Sequence, residues 1–106
     1  MKYISAPYGS AENKDERMKI ITHHSANCLK KDESIICPLT MGHEFIKHCE
    51  LPYDSEWWLK WCFDLLNLCD EMDVLCLEGW ETSVGVTAEI KFAKEKRIKI
   101  NFIKYE

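Results

Sequence analysis

Glu89 is the side chain whose setting is hardest to explain without chemistry. Val86, Ile90 and Ala93 mark the apolar stripe of a helix near the C-terminus. Glu89 lies three residues after Val86 and one turn before Ala93, at the border of that stripe. Burying a carboxylate is costly unless partners compensate, so a carboxylate kept there is a candidate nucleophile or acid/base. The plain alternative is that Glu89 snorkels outward or pairs with a lysine. Ser83 and Gly85 open the same helix, just after the apolar run Val74 to Leu77. Ser83 suits an N-cap. Its hydroxyl, the neighbouring amides and the helix dipole also suit a bound phosphate.

Other candidates fall around the same rim. Tyr8 and Ser10 follow the first strand and precede a helix, so they are expected to face the ligand side. Tyr8 reads equally as a plain turn aromatic. Trp80 sits in the loop after the third strand, where a base could stack, although a lid or subunit contact explains it as well. Asp64 flanks the stripe Trp58, Trp61, Leu65 and is read either as a second carboxylate or as a surface residue. Asp54 suits a helix cap, Asp73 a structural turn opening the third strand, and Arg17 a solvated charge. Trp57, Trp58 and Trp61 have the spacing of a helical core face. No Gly-x-Gly-x-x-Gly or Walker pattern occurs, which removes the dinucleotide-binding and triphosphate-motor classes.

The elements that must position these groups alternate. Tyr3 to Ala6 reads as a strand ended by Pro7-Tyr8-Gly9-Ser10, and a helix is expected from about Glu12 to Lys30. Its stripe runs through Met18, Ile21, Thr22, Ser25, Cys28 and Leu29. Ser34 to Cys37 reads as a short strand stopped by Pro38. The stretch from Pro38 to Cys49 carries loop signals before a helical turn. A helix after Asp54 buries Trp58, Trp61, Cys62, Leu65, Leu68 and Cys69. Val74 to Leu77 is a third strand, Val84 to Lys96 a helix, and Ile98 to Phe102 an edge strand with one wetter face. This order predicts a single α/β domain over residues 1–106. It is a Rossmann/flavodoxin-like three-layer sandwich with a four- to five-stranded, mainly parallel sheet. Ligands then lie beyond the strand C-termini, where Tyr8, Pro38 to His43 and Trp80 to Ser83 gather. Pro38 and His43 thereby join the candidate binding residues.

Composition narrows the function. The chain has 106 residues, a 46% hydrophobic share and a formal charge of −4 with no basic run. That balance argues against a nucleic-acid polymer as partner, because backbone affinity rests on clustered Lys and Arg. No apolar run is long enough to span a bilayer, and the N-terminus is too soon interrupted for a signal peptide. A cytoplasmic protein is expected. The six cysteines contain no Cys-x-x-Cys and read as buried reduced thiols. His43, His48 and Cys49 match no established ligand spacing and read as a surface loop, so neither metal nor cofactor is expected.

The runs Tyr3-Ile-Ser-Ala-Pro-Tyr8, Ser-Ile-Ile-Cys-Pro38, Asp73-Val-Leu and Ser83-x-Gly85-x-x-x-Glu89-x-x-x-Ala93 resemble the nucleoside 2-deoxyribosyltransferase superfamily. The likeness is strongest to small phage and bacterial relatives of the deoxynucleoside 5′-monophosphate N-glycosidases. The resemblance implies that Glu89 is the nucleophile at the anomeric carbon and that Ser83 and Gly85 contact a 5′-phosphate. It also implies that Tyr8 orients the nucleophile or the sugar. Asp64 is the nearest match to the second carboxylate that assists the leaving base. It implies a nucleoside or nucleotide substrate and a homodimer or higher homo-oligomer, since related sites borrow residues across subunits. Cleavage of an N-glycosidic bond, by hydrolysis or by deoxyribosyl transfer, is the expected activity. The alternatives are a non-catalytic nucleotide-binding module and an oligomeric, nucleotide-sequestering scaffold.

Overall fold

The apolar runs pair side by side. In the computed structural model, which describes residues 1–8, 13–52 and 55–105, β1 (Lys2–Ser5), β2 (Ile35–Ile36), β3 (Glu71–Cys76) and β4 (Lys99–Lys104) form one sheet. All pairings are parallel and the strand order is β2-β1-β3-β4. Parallel neighbours need crossovers, and the helices supply them. They are α1 (Lys14–Lys30), α2 (Pro38–Cys49), α3 (Ser55–Leu66) and α4 (Val84–Glu95), with a 3-10 turn at Trp80–Thr82. The result is a three-layer α/β sandwich of the Rossmann/flavodoxin-like type.

Alternation along the strands assigns each side chain to a layer. Ile4, Ala6 and Leu75 face α1 and pack with Met18, Ile21 and Cys28. Tyr3, Met72 and Val74 face the other way, against Leu66 of α3 and Val86 and Ala93 of α4. The chain leaves β1 toward β2 and leaves β3 toward β4, so its path splits between β1 and β3. In such sheets the crevice beyond the strand C-termini at that split is the ligand site.

Several expectations need correction. The stretch after Pro38 is a continuous helix, not a loop, with Cys37 as N-cap and Pro38 at the helix start. Proline is at home there because the first helical N–H has no intrahelical partner to lose. The helix ends where Glu50 takes φ 54°. Asp73 does not open β3 as a turn residue; it sits inside the strand and is only 2% exposed. Thr22, Leu29 and Leu68 are exposed rather than part of their helices' buried faces, while Leu66 is fully buried. Ser10 and Asp54 lie outside the described residues. All six cysteines are free thiols, with Cys28, Cys37 and Cys69 buried and Cys49 exposed. Among the described residues no helix is long and apolar enough to cross a membrane.

Candidate functional site

Glu89 points inward. Together with Val86 and Ala93 it forms the buried face of α4, and it is 7% exposed. Its two carboxylate oxygens each receive a hydroxyl proton from β1. Ser5 Oγ–H donates to Oε1 at 2.7 Å, and the Tyr3 phenol donates to Oε2. Residues two apart on a strand share a face, so Tyr3 and Ser5 present both donors to one acceptor group. Burial pushes the Glu89 carboxyl up from 4.5 to about 7, against the opposing pull of the Tyr3 and Ser5 hydrogen bonds. Burial and the Glu89 charge also raise the Tyr3 phenol, so it stays a donor. The same two causes push the Cys62 thiol up to about 12, which leaves it an uncharged neighbour rather than a nucleophile.

This carboxylate lines a cavity of about 90 Å³ beyond the strand ends. Tyr3, Ala6 and Tyr8 contribute from β1 and its loop, and Ser83 and Gly85 from the start of α4. Pro38, Gly42 and His43 contribute from α2, and Trp58, Trp61 and Cys62 from α3. Aromatic walls with a few convergent polar groups are the usual make-up of a small-molecule site. Gly42 fits against the Trp58 ring, where an added Cβ would meet ring carbons at 3.8 Å. Gly85 has open space where its Cβ would be, so packing against the described residues does not account for it. Ser83 caps α4 by accepting from the Val86 N–H at 3.3 Å.

The remaining sequence candidates divide. Tyr8 lines the cavity, within the space a sugar would enter, but the hydroxyls on Glu89 are those of Tyr3 and Ser5. The Tyr8 hydroxyl hydrogen-bonds His43 Nδ1, with the two rings edge to face at 5.7 Å. His43 lies on the cavity side of α2, and its Nε2 is 3.6 Å from Asp15 Oδ1. Asp64 is not at the site: it lies on the exposed face of α3, 67% exposed, paired with Lys60 one turn earlier. Trp80 is not on the cavity wall either, and packs against Phe102 at 5.5 Å. Tyr3, Ser5, Trp58, Trp61 and Cys62 were missed as site residues. Strand parity would have placed Tyr3 and Ser5 on one face of β1 once that face was known to meet α4.

A second polar cluster lies under α1. Asp73 receives Asn101 Nδ2–H at 2.9 Å and contacts His24 Nε2 at 2.9 Å and Lys2 Nζ at 3.3 Å. Burial works against the Asp73 charge, but the Asn101 and His24 hydrogen bonds and the Lys2 ammonium outweigh it and hold its carboxyl low. His24, Cys28 and Asp73 offer ligand atoms within 4.8 Å of one another. The Lys2 ammonium already occupies the same Asp73 oxygen as His24, so the cluster is a satisfied ion-pair network. His48 pairs with Glu44 on the exposed side of α2, away from His43's cavity contact, and Cys49 is exposed.

Among known families, residues 1–104 match the one described as Domain of unknown function (DUF1937). No curated protein matches the chain.

Proposed function

The chain belongs to the DUF1937 family, and we propose that it breaks the N-glycosidic bond of a nucleoside or nucleoside 5′-monophosphate. The observation that carries this reading is Glu89: a buried carboxylate with a hydroxyl donor on each oxygen, opening onto an aromatic-walled cavity at the sheet's switch point. The resemblance to nucleoside 2-deoxyribosyltransferases over Tyr3–Tyr8 and Ser83–Ala93 supports the same assignment.

The chemistry is a double displacement. Glu89 attacks C1′ of the sugar, the C1′–N bond breaks with its electron pair going to the base, and a glycosyl ester on Glu89 results. Water then releases the sugar, or a second base accepts it. Before attack, the carboxylate's negative charge stabilises the oxocarbenium character at C1′. Tyr3 and Ser5 keep Glu89 in one orientation and ease its ionisation, since hydrogen bonds to the charged form favour it. Ser83 and Gly85 line the cavity at the positive end of α4, which supports a role for them in holding a 5′-phosphate. A nucleotide substrate and reduced thiols suit a cytoplasmic enzyme.

The test is base release from a panel of nucleosides and 5′-monophosphates, followed by chromatography, with intact-mass detection of a sugar adduct. Wild type should release base and Glu89→Gln should lose at least about a thousandfold, as expected for removal of a nucleophile. Binding without release by the wild type would instead make the chain a nucleotide-binding module. Self-association into a homodimer or larger oligomer is part of the proposal. Met41 and Phe45 stand one turn apart on α2, both exposed, and suit an apolar contact. Sedimentation over a dilution series should show mass falling with concentration, and a monomer throughout would remove that part.

A further inference from the structure

We propose that His43, acting through the hydroxyl of Tyr8, delivers the proton that the departing base needs, a role that rests on the N-glycosidase reading of the Glu89 site. When the C1′–N bond breaks, both bonding electrons stay on the base nitrogen, and an unprotonated base is a poor leaving group. A proton donor must therefore reach the cavity. Asp64 cannot supply it, being on the exposed face of α3 and paired with Lys60.

The cavity does contain a second titratable chain. Tyr8 enters from the loop after β1 and His43 from α2, both lining the same space as Glu89 of α4. The Tyr8 hydroxyl is hydrogen-bonded to His43 Nδ1, and the opposite ring nitrogen, Nε2, lies 3.6 Å from Asp15 Oδ1 on α1. The His43 side chain is 12% exposed, whereas Asp15 is 83% exposed. Asp15 therefore gives the ring a water-screened carboxylate neighbour on the side away from Tyr8. This is the ordering of a proton relay: carboxylate, imidazole, phenol, cavity. Cys62, which also lines the wall, is held as a neutral thiol and does not compete.

The steps balance. With His43 protonated, Nδ1–H donates to the Tyr8 oxygen and the Tyr8 O–H points to the base. As the C1′–N bond breaks, the Tyr8 proton passes to the base nitrogen and the Nδ1 proton replaces it on Tyr8, leaving neutral His43. In the second half, water attacks C1′, and the ester C1′–O bond breaks with its electrons returning to Glu89. The water's surplus proton goes to Tyr8 while the Tyr8 proton returns to Nδ1. An incoming base would surrender its N–H proton by the same route.

The deciding experiment compares 2′-deoxyguanosine 5′-monophosphate with its 7-methyl derivative, whose base is already cationic and leaves without a proton. His43→Asn and Tyr8→Phe should each lose a hundredfold or more on the unmethylated substrate, the usual contribution of a general acid. On the 7-methyl substrate each should lose less than tenfold, while Glu89→Gln loses activity on both. Circular dichroism and melting of Tyr8→Phe, which removes one oxygen, exclude misfolding as the cause. Equal losses on both substrates, or no loss on either, with Glu89→Gln still inactive, would overturn the relay and leave the nucleophile standing. If wild type released neither base, both the relay and the glycosidase reading would fall.

Discussion

At the scale of single residues, two buried carboxylates among the described residues, Asp73 and Glu89, are treated oppositely by their surroundings. Asp73 meets an ammonium, an imidazole and an amide, and stays ionised. Glu89 meets only neutral hydroxyls, so burial dominates and lifts its carboxyl to about 7. A nucleophile must be ionised, so base release should rise as pH climbs through about 7, a limb that kcat/KM profiles will show. Tyr3→Phe removes a hydrogen bond that lowers the Glu89 pKa. It should move that limb upward and cut activity about tenfold at neutral pH, in line with the loss of one hydrogen bond to a charged group. A profile unmoved by Tyr3→Phe would mean that the phenol does not tune the carboxylate. Helix spacing put Glu89 at the border of the apolar stripe and left open whether it turned inward or snorkelled to solvent; the fold turns it inward. Tyr3 was not legible. It sits among apolar strand residues, where an aromatic ring reads as core and its hydroxyl's partner depends on a helix eighty residues away.

At the scale of elements, α2 shows where local signals mislead. Pro38 and Gly42 are loop residues by propensity, yet proline fits the first helical turn. Gly42 serves the close approach of the Trp58 ring to α2. Helix interior glycine costs about 1 kcal/mol relative to alanine, and the ring stands at ordinary contact distance from an added methyl. Gly42→Ala should therefore raise stability by about 0.5–1 kcal/mol in urea titration. A loss would show that Trp58 cannot accommodate the methyl. The strands and α1, α3 and α4 were legible because most positions of their apolar pattern are buried, although Thr22 and Leu29 on α1 and Leu68 after α3 face solvent and β3 starts at Glu71. Asp64 was misplaced for a related reason: neighbours of an apolar stripe lie on either side of it, and spacing does not say which side faces the site. Its i,i+4 partner Lys60 was the better clue to a solvated face.

At the scale of the whole molecule, the two carboxylates give opposite slopes to stability against pH. Asp73 joins β1, through Lys2, to α1 and β4, so one charge ties three strands and a helix together. Its folded pKa is lowered, so its stabilisation is present above the unfolded value and disappears as pH falls through the folded one. Glu89 has the opposite sign. Its folded pKa is raised, so between 4.5 and about 7 the folded protein holds a proton that the unfolded chain has released, and stability declines as pH rises through that window. The shift corresponds to roughly 3 kcal/mol, with the linkage complete above pH 8. Glu89→Gln keeps the size and drops the charge. It should match wild type near pH 4.5 and exceed it by on the order of 1–3 kcal/mol at pH 8, less whatever the amide loses by facing two hydroxyl donors. In a domain of this size that is a rise of about 4–8 °C in Tm per kcal/mol. Asp73→Asn leaves Lys2 its Glu33 partner at 2.7 Å but removes the charge that Lys2, His24 and Asn101 share, and should cost about 1.5–3 kcal/mol at neutral pH, the deficit shrinking below pH 4. Denaturant melts of the two variants across pH 3–9 read both slopes. A catalytic carboxylate should destabilise the fold that holds it, whereas a structural one should not. Equal losses from both substitutions at pH 8 would mean that Glu89 is a structural acid after all, held for packing rather than for attack.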